Sequence, residues 1–478
     1  MSEFMDTSTV LAVDLDGTLL RSDMLHETFW SATAQDWRNV FRSFWFLLKG
    51  RLELKCFLSE QASIDVTTLP YDTVVLDLIS EHRAAGGRTV LVSASHQDLV
   101  QRVAEHLGLF DEAYGSSTGT NLKGHEKRKL LEQRYGLKRF IYVGDSASDL
   151  AVWASAKQIV TVDASSSVRA RVEQLGPPFT HLNRQSKLPM PYLRVLRPHQ
   201  WLKNVLIFIP ILASHQFTPD TSVACALSFL IFCMVSSGVY VMNDLMDLSA
   251  DRAHPRKRHR AFASGAIPPA HGLILLITLQ LSGIVLSLLI GWQFTLVLLL
   301  YFIITSMYSM KLKRKVGVDI CILASLYTMR IIAGGVATGI SISSWLLAFS
   351  LFFFFSMAAL KRQGELVDLS QRNELEIKGR GWVVKDLPVL SSAVLASGYL
   401  SVLIMALYVN SDQVRLLYSE PAALWGICVV LFYWITRMEL LTNRGNMHDD
   451  PIVFAIKDRV SHYCLVGMLT LAIFGALL

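Results

Sequence analysis

Paired cysteines are absent from this sequence, and concentrated basic motifs are absent from its N-terminal part. Its six cysteines are scattered and form no CxxC pair, so neither a disulfide framework nor a zinc site is expected. No stretch of the N-terminal part carries a concentrated basic motif, which argues against a nucleic-acid-binding protein. The first residues lack a charged stretch followed by an apolar core, so we expect no cleavable signal peptide.

Apolar residues are abundant, but they are unevenly distributed along the 478 residues. Residues 1 to about 185 have the composition of a soluble protein, whereas apolar stretches alternate with short polar loops from about residue 200. The length of these stretches predicts an all-α, polytopic membrane part with about nine transmembrane helices. The predicted spans are 204–219, 222–242, 270–290, 293–309, 318–338, 344–360, 389–409, 421–437 and 461–478.

Lysine and arginine are concentrated in alternate loops of this membrane part. They are dense before the first predicted span, after the second and after the fourth, and they are absent from 215–221, 291–293 and 339–343. Because cytoplasmic loops carry an excess of cations, we predict that the basic loops and the N-terminal part are cytoplasmic. The predicted location is a bacterial-type inner (cytoplasmic) membrane, crossed several times.

Three short apolar strands of the N-terminal part are each followed by a polar cluster. The clusters are DLDGT at 14–18, SAS at 93–95 and GDSASD at 144–149. Helical patterns at 97–107 and 126–135 separate the strands, which predicts a parallel α/β sheet. The carboxyl ends of parallel strands form the binding crevice of such a sheet, so the three clusters are expected to converge on one site.

This order of motifs resembles the haloacid dehalogenase-like phosphatase family over nearly the whole N-terminal segment. The resemblance implies an aspartyl-phosphate mechanism in which Mg²⁺ and a cation offset the repulsion between a carboxylate and a phosphoryl group. The implied roles are nucleophile for Asp14, general acid/base for Asp16, phosphoryl binding for Ser93, charge neutralisation for Lys123, and Mg²⁺ ligation for Asp14, Asp145 and Asp149.

A mostly helical, aromatic-rich insertion begins at Arg21 and extends to about residue 70, where this family places a cap over the active site. We predict that its aromatic side chains form the core of a cap at about 21–85; the alternative is contact with a membrane surface or a lipid. A Pro-rich, polar linker at 181–193 is predicted to separate a domain at 1–180 from a membrane domain at 194–478.

An aspartate-rich segment, NDLMDLSAD at 243–251, directly follows the second predicted span. Its Asn243, Asp247 and Asp251 recur every four residues, so on a helix they share one face and form a set of Mg²⁺ ligands. The cations of HPRKRHR at 254–260 suit a multiply charged phosphate. A juxtamembrane loop with incidental acids would explain the cations but not the regular spacing of the ligands.

Further polar clusters are predicted on the same face of the membrane domain. They include RPHQWLKN at 197–204, YSMKLKR at 308–314 and an arginine near the middle of a span, which is expensive in a membrane and by default belongs to a site. The residues predicted to bind substrate are Lys203, Asn204, Lys257, Arg260, Tyr308, Lys311, Asp319 and Arg330.

These motifs resemble the UbiA prenyltransferase superfamily over roughly 194–478. Within it, RPxQWxKN, DxxHPxKxxR, YSxxLKR and DDPxxFAxKDR at 449–459 are similar to the decaprenyl-phosphate phosphoribosyltransferase branch. The resemblance implies Mg²⁺-dependent transfer of 5-phosphoribose from phosphoribosyl pyrophosphate to a polyprenyl monophosphate, with Asp247 central to catalysis. The attached phosphatase-like domain suggests a second step, removal of the 5-phosphate to give polyprenyl-phosphoryl-ribose.

Three alternatives remain open at this stage. The membrane domain could be an aromatic-acid polyprenyltransferase that uses a prenyl diphosphate, although Asp319 stands alone where such enzymes usually carry paired acids. The N-terminal domain could be a non-catalytic regulator. A transporter or scaffold would not need Mg²⁺-type ligands at one membrane face. The sequence leaves open the polyprenyl length, the coupling of the two sites and whether the chain forms a homo-oligomer.

Overall fold

The computed structural model describes residues 9–117, 119–184, 190–373, 375, 380–447 and 450–477. Asp449, part of the late predicted motif, lies outside these residues. By its internal contacts the chain divides into two compact units. Unit 1 comprises Met1–Leu196 with Tyr240–Ile277, and unit 2 comprises Arg197–Val239 with Thr278–Leu478. The aspartate-rich segment therefore belongs to the same unit as the N-terminal sheet.

Unit 1 contains a six-stranded parallel sheet, which confirms the predicted α/β fold. The strand order is β3-β2-β1-β4-β5-β6, so β1 lies in the centre between β2 and β4. The strands are β1 Val10–Val13, β2 Thr89–His96, β3 Glu112–Ser116, β4 Phe140–Gly144, β5 Gln158–Val162 and β6 Phe179–Leu182.

Both faces of this sheet are covered, and this is why its central strands are continuous apolar runs. One face packs around Leu11, Val13 and Leu91, and the other around Ala12, Tyr142 and Trp153. The helices of the N-terminal part are α1 Met24–Gln35, α2 Asn39–Lys49, α3 Arg51–Gln61, α4 Thr73–Ala84, α5 Gln97–Leu107, α6 His125–Tyr135, α7 Leu150–Trp153, α8 Ser166–Glu173 and α9 Met190–Leu196.

The helices α1 to α3 follow the DLDGT motif and form the predicted helical insertion. Asp23 begins α1 by accepting a hydrogen bond from the N–H of Leu25, which satisfies a backbone donor at the helix start. Of the aromatic residues predicted to form the cap core, Trp30 is buried, but most of those on α2 are exposed. The prediction of an aromatic cap core is therefore wrong for α2.

The remaining chain is helical, as predicted for a polytopic membrane protein. Eight helices within the described residues are long and apolar enough to cross a membrane. The helices are α10 Ile209–Ser214, α11 Pro219–Met246, α12 Leu248–Ala253, α13 Pro269–Ser287, α14 Trp292–Met310, α15 Val318–Thr338, α16 Ser344–Gln371, α17 Leu387–Val409, α18 Asp412–Leu417, α19 Leu424–Asn443, α20 Pro451–Lys457 and α21 Arg459–Leu477.

The first predicted span, 204–219, does not form one long helix. A 3₁₀ helix at Pro198–Phe208 is followed by the six-residue α10. Helix α10 ends at Ser214, and the next residue, His215, has a left-handed backbone conformation. Pro210 occupies the start of α10, and a proline cannot donate the hydrogen bond that would continue the preceding turn. Apolar composition alone predicted a span here, whereas the backbone is divided into two shorter pieces.

Candidate functional sites

The carboxyl ends of β1 and β4 hold the first candidate site. Asp14 directly follows β1, and its backbone N–H donates to the carbonyl of Val143 at 3.0 Å. The N–H of Leu15 donates to Asp14 Oδ1 at 2.8 Å, which fixes the carboxylate at the strand end. The parallel pairing of β1 with β4 thus sets where Asp14 lies relative to the GDSASD motif.

Three carboxylates meet at this edge of the sheet. Oxygens of Asp14, Asp145 and Asp149 lie within 4.8 Å of one another, and we call these residues the first carboxylate cluster. Like charges this close repel, so the arrangement requires cations. Carboxylate oxygens are the ligands that Mg²⁺ prefers, and the cluster therefore fits a divalent cation.

One buried lysine of α6 supplies part of the required positive charge. Lys127 Nζ lies 2.9 Å from Asp14 Oδ1 and 3.7 Å from Asp149 Oδ1. It also donates to the hydroxyl of Tyr142 at 2.8 Å, and that hydroxyl donates to Asp149 at 2.8 Å. Tyr142 points from β4 toward this network. The sequence analysis did not identify it as a site residue, because a tyrosine within an apolar strand is common.

Burial and mutual repulsion change the protonation of the cluster. Burial and the charge of Asp149 raise the pKa of Asp145 to about 7. Burial lowers the pKa of Lys127, but Asp14 and Asp149 outweigh that effect, so the pKa ends above its usual value. The lysine therefore stays charged at neutral pH, while burial raises the pKa values of two carboxylates of the cluster, Asp14 and Asp145.

The lysine predicted for this site was Lys123, and the structure places Lys127 there instead. Lys123 is exposed, whereas Lys127 is buried against Asp14. Helix α6 begins at His125. Lys127 therefore lies inside the helix and faces the sheet, whereas Lys123 lies before the helix. The assignment of the neutralising cation is corrected accordingly.

Asp16 connects the strand ends to the cap. Its Oδ2 accepts hydrogen bonds from the hydroxyls of Ser93 and Ser95 at 2.9 Å and 2.7 Å. Its Oδ1 accepts from the N–H of Met24, the first residue of α1, at 2.7 Å. Ser93 was predicted to follow a strand, but it lies within β2, three residues before the last residue His96, and its hydroxyl is bonded to Asp16.

Gly17 allows the DLDGT loop to lie close to Asp145. Its φ is +77°, and a Cβ there would lie 2.4 Å from Asp145 Oδ2. Any side chain would therefore displace a member of the first carboxylate cluster, in addition to straining the backbone.

A lysine of the cap also reaches the strand ends. Lys55 Nζ, on α3, donates to the carbonyl of Ala94 at 2.5 Å. Burial lowers the pKa of Lys55, and the nearby charges of Asp16 and Asp23 oppose that shift. Sequence reasoning did not single out this residue, because a lysine on a helix ordinarily marks a solvated face.

The aspartate-rich segment forms the second candidate site, also within unit 1. α11 ends at Met246 and α12 begins at Leu248, yet the N–H of Asp247 still donates to the carbonyl of Asn243 at 2.9 Å, and that of Asp251 to Asp247 at 2.8 Å. The predicted four-residue helical spacing is therefore kept across the junction between the helices.

Arg260 binds two carboxylates of this segment. Its Nη1 lies 3.0 Å from Asp244 Oδ1 and 2.7 Å from Asp251 Oδ2. Asp251, predicted as a metal ligand, is thus paired with a guanidinium here, and Asp244 was not predicted at all. Lys257 is exposed. The roles of these residues toward metal and substrate remain predictions.

The other two predicted ligands of the segment fit a cation better. Among the described residues, Asn243 Oδ1 is a buried oxygen without a hydrogen-bond partner. It lies one helical turn before Asp247, which is half-buried. Mg²⁺ in phosphate-transfer sites is commonly held by one or two carboxylates and by the substrate phosphates. Ligation of Mg²⁺ by Asn243 and Asp247 remains a prediction.

A buried ion pair joins the aspartate-rich segment to the cap. Arg252, the neighbour of Asp251, donates from Nη1 and Nη2 to both carboxylate oxygens of Glu27 on α1, at 2.8 Å and 2.7 Å. Its Nε donates to the carbonyl of Ala263 at 3.1 Å. The hydroxyl of Ser22, just before α1, donates to Glu27 as well.

Apolar packing surrounds this ion pair. Trp30 of α1 and Val195 of α9 pack with Leu245, Leu248 and Phe262 in one buried cluster. The cap helix α1 and the aspartate-rich segment consequently form one packed body inside unit 1. The sequence alone did not predict this contact, because Glu27 and Arg252 are 225 positions apart.

In unit 2, three groups of buried polar residues contain the remaining predicted site residues. In the first, Lys203 Nζ and Lys361 Nζ lie 2.8 Å and 3.0 Å from Asp450 Oδ2. Asp450 lies just before α20; burial raises its pKa, but the charges of the two lysines outweigh burial and hold the pKa well below the usual range. Lys361 was not among the predicted site residues.

The second group is centred on the buried Arg330. Its Nε donates to Asn204 Oδ1 at 2.8 Å and its Nη2 to the hydroxyl of Tyr301 at 2.9 Å. Two predicted substrate-binding residues, Asn204 and Arg330, are therefore hydrogen-bonded to each other. That they bind a phosphate group remains a prediction.

The third group is centred on Asp319 at the start of α15. Arg362 Nε lies 2.9 Å from Asp319 Oδ2, and the indole N–H of Trp382 donates to Asp319 Oδ1 at 3.0 Å. Arg362 also donates to the hydroxyl of Tyr308 at 3.4 Å. Asp319 and Tyr308 are thus linked through Arg362, which was not among the predicted site residues, and Lys311 is exposed.

Unit 2 also contains a largely apolar cavity of about 840 Å³. It can accommodate a long apolar chain, because aromatic and aliphatic side chains provide most of its wall. The lining includes Ile342, Phe349, Phe353, Tyr408 and Met468.

Comparison with known families gives two matches on this chain. The UbiA prenyltransferase family matches residues 205–450, and the haloacid dehalogenase-like hydrolases match residues 11–153. The first match contains most of the membrane helices and the second contains the first carboxylate cluster.

Several relatives are similar over most of their length. The uncharacterized protein y4nM of Sinorhizobium fredii is 38% identical over 96% of this chain and 89% of its own. The nodulation protein NoeC of Azorhizobium caulinodans is 34% identical over 59% of this chain and 92% of its own. The decaprenyl-phosphate phosphoribosyltransferase of Mycolicibacterium smegmatis is 30% identical over 56% of this chain and 86% of its own.

Proposed function

Because the chain belongs to the UbiA prenyltransferase family and carries a haloacid dehalogenase-like domain before the membrane helices, we propose that it catalyses two successive steps. The membrane part transfers 5-phosphoribose from phosphoribosyl pyrophosphate to a polyprenyl monophosphate. The N-terminal domain then removes the 5-phosphate and leaves polyprenyl-phosphoryl-ribose.

One observation carries this proposal: a single compact unit holds both the first carboxylate cluster and the aspartate-rich segment. Both sites contain the groups that phosphate chemistry needs. Carboxylate and amide oxygens can bind Mg²⁺, and Lys127 and Arg260 provide positive charge. Covalent and packed proximity raises the effective concentration of the product of one site at the other.

In the first step, a phosphate oxygen of the polyprenyl phosphate attacks C1 of the ribose. The bond from C1 to the pyrophosphate oxygen breaks, and pyrophosphate leaves with the electron pair. The attacking phosphate is already an anion, so the step needs no strong general base. Asn243 and Asp247 are the residues proposed to hold Mg²⁺, which when bound would offset the charge of the leaving group.

The choice of donor and acceptor rests on further observations. The relatives named decaprenyl-phosphate phosphoribosyltransferase support the phosphoribosyl donor. Asp319, paired with Arg362 and Trp382, favours that donor over a prenyl diphosphate, for which a second set of acidic metal ligands would be expected. The apolar cavity of unit 2 suits the tail of a polyprenyl acceptor.

In the second step, Asp14 attacks the phosphorus of the ribose 5-phosphate. The bond from phosphorus to the 5-oxygen breaks, and Asp16 gives that oxygen a proton. Water, deprotonated by Asp16, then hydrolyses the aspartyl-phosphate and releases inorganic phosphate. Lys127 stabilises the transferring group, because it already lies on Asp14. Asp145 and Asp149 are proposed to hold Mg²⁺ there together with Asp14.

The proposed location is the cytoplasmic membrane of a bacterium, with the N-terminal domain on the cytoplasmic side. The one-sided distribution of loop cations supports that orientation, and the eight candidate spans support an integral membrane protein.

The test uses full-length protein in lipid with radiolabelled phosphoribosyl pyrophosphate, Mg²⁺ and decaprenyl phosphate. Wild type is expected to move label into lipid without a retained 5-phosphate. Asp14→Asn should move label and retain the 5-phosphate, and Asp247→Asn should move none. Failure of every variant to label lipid would contradict the donor assignment, and activity with a prenyl diphosphate and an aromatic acid would identify the alternative. Identical products from wild type and Asp14→Asn would contradict the second step.

A further inference from the structure

Helix α2 of the cap is amphipathic in the opposite sense to a helix of a soluble domain. Its outward face is aromatic and aliphatic: Phe41, Phe44 and Trp45 are 68%, 65% and 61% exposed. Trp37, just before the helix, and Leu48 extend the same face. In a soluble domain such a face would point to the core.

The inward face of α2 is formed mainly by small polar residues. Asn39 and Ser43 are buried, and the side chain of Asn39 donates to the carbonyl of Ala32 at 2.9 Å. Phe46 packs at the edge of this face by stacking on Phe57 of α3, with ring centroids 4.4 Å apart. The helix is therefore anchored to the cap by this polar face and by Phe46, whereas Phe41, Phe44 and Trp45 are not part of the cap core.

This exposed surface is costly in water. Burying a single large apolar side chain is favourable by about 1.5–3 kcal/mol, and contiguous exposed apolar patches of this kind mark interaction sites. The patch requires a partner that is itself apolar, and tryptophan and phenylalanine are residues that interfacial helices use on their lipid-facing side.

The charges around the patch specify that partner further. Residues 37–52 contain four cations, Arg38, Arg42, Lys49 and Arg51, and no Asp or Glu. Asp36 and Glu53 stand at the two ends of this stretch, so the rim is predominantly cationic, and such a rim around an aromatic face suits a bilayer with anionic headgroups. A second copy of this chain fits less well, because a two-fold contact would oppose the same cations to each other.

A bilayer is also available to this part of the molecule. Unit 1 itself includes the last residues of α11, from Tyr240, and the beginning of α13, up to Ile277, and both helices are candidate membrane spans. We propose that α2 is a membrane-interface helix, which inserts its aromatic face into an anionic lipid bilayer and holds the cap of the N-terminal domain at the membrane surface.

The test places a fluorophore on the patch of the full-length protein. The background carries Cys56→Ser and Cys321→Ser, because those cysteines are half-buried and exposed, whereas the other four are buried. Phe44→Cys is labelled with a polarity-sensitive dye, and the protein is placed in nanodiscs of phosphatidylcholine with phosphatidylglycerol. The matched control is Leu137→Cys, a 61% exposed apolar residue just before β4, at the sheet edge opposite the cap.

Lipid-borne nitroxide is expected to quench the label at position 44 at least about twofold more than the label at 137, because interfacial helices bury their apolar face below the headgroups. Aqueous iodide should show the reverse order. Equal quenching of both labels by iodide would overturn the proposal. A label at 44 that neither reagent reaches would also overturn it, and would assign the patch to a second copy of the chain.

A second pair of variants tests the role of the cations. Arg38→Gln with Arg42→Gln leaves the aromatic face intact but removes half of the rim. Nitroxide quenching at position 44 is expected to fall in the variant, and the difference between anionic and purely zwitterionic nanodiscs should shrink with it. Quenching that is the same in both lipids for wild type would contradict the anionic preference.

Discussion

The two candidate sites of unit 1 balance their negative charge in different ways. In the first carboxylate cluster three carboxylates share Lys127, and the pKa of Asp145 rises to about 7. In the aspartate-rich segment Arg260 bridges Asp244 and Asp251. The first site is therefore left short of positive charge, whereas much of the acidity of the second is already neutralised by the protein.

The two sites also differ in what holds them in place. The first lies at the ends of hydrogen-bonded strands, where the register of β1 and β4 fixes the positions of its carboxylates. The second lies where α11 ends and α12 begins, and it contacts the cap through the ion pair of Glu27 and Arg252. A sheet edge is rigid by itself, but a helix junction needs support from outside, and here the N-terminal domain provides it.

Removing the cation of the first site should have the largest effect. Lys127→Met is expected to lower the release of the ribose 5-phosphate by about 10²–10³-fold or more, because electrostatic stabilisation at a reacting group is typically of that size. The measurement is phosphate release from the lipid product, with Mg²⁺ saturating. Label transfer into lipid should be little affected, since that step depends on the other site.

Lys123→Met is the matched control for this variant. It removes the lysine that the sequence suggested, which is exposed, and should leave phosphate release near wild type. The reverse result, loss with Lys123→Met and retention with Lys127→Met, would contradict the geometry of the first site. Thermal unfolding of both variants separates a folding defect from a catalytic one.

The case of these two lysines shows what the sequence could and could not predict. The parallel sheet and the place of the DLDGT loop at the end of β1 follow from local patterns, and the α/β fold was predicted correctly. The choice between Lys123 and Lys127 depends on the residue at which α6 begins, which local patterns fix only within a few residues. A four-residue error is one turn of helix and moves a charge from the core to solvent.

Two other features lay beyond local sequence patterns for different reasons. The periodicity of α2 identified an aromatic face, but periodicity cannot distinguish a protein core from a bilayer as the medium that covers it. The pair of Glu27 and Arg252 joins residues 225 positions apart, and each of them alone reads as ordinary surface charge. Long-range pairing leaves no signal in a single sequence.

The support of the aspartate-rich segment can be broken at this ion pair, with the next largest effect. Glu27→Gln leaves Arg252 buried without its counter-charge, and breaking a buried pair in this way costs about 3–5 kcal/mol. We expect a lower unfolding temperature for the full chain and a higher Mg²⁺ concentration for half-maximal label transfer, because Arg252 adjoins Asp251. Glu27 is a positioning residue in this account.

An exposed ion pair on α6 provides the control. Glu126 and Lys129 lie 2.7 Å apart, with side chains 48% and 63% exposed, so Glu126→Gln should change neither quantity appreciably. A loss of stability in Glu27→Gln without any change in the Mg²⁺ requirement would reduce the pair to a structural contact. Adding Arg252→Met to Glu27→Gln should recover part of the stability, since the orphaned charge is removed.

The pKa of Asp145 provides a smaller, graded comparison. Its pKa in the metal-free folded state is about 7, above the usual value of 3.8, so the folded protein binds one more proton than the unfolded chain between those values. The contribution of Asp145 to the free energy of unfolding is therefore present at low pH and is lost as the pH rises through about 7. Mg²⁺ needs the ionised form and should bind more tightly as the pH rises.

Calorimetric titration of Mg²⁺ into the Asp247→Asn variant isolates the first site. Affinity is expected to rise about fivefold from pH 6 to pH 7 and about twofold more by pH 8, with close to one proton released from Asp145 per ion at pH 6 and almost none at pH 8. The Asp145→Asn version of the same protein should lose this dependence. A proton release that stays constant from pH 6 to pH 8 would contradict the raised pKa.

The smallest effect is expected at Lys55, where the cap reaches the first site. Its ammonium is bonded to the carbonyl of Ala94 and lies near Asp16, so it can attract a phosphorylated substrate without touching the nucleophile. Lys55→Met should raise the KM for phosphate release by about threefold to tenfold and leave kcat nearly unchanged, because uniform binding is lost while transition-state contacts remain.

Lys129→Met, which removes an exposed lysine of α6, is the control and should change neither constant. If Lys55→Met lowered kcat as strongly as Lys127→Met, the cap lysine would belong to the reacting centre itself, and the division between a fixed sheet edge and a substrate-gathering cap would not hold.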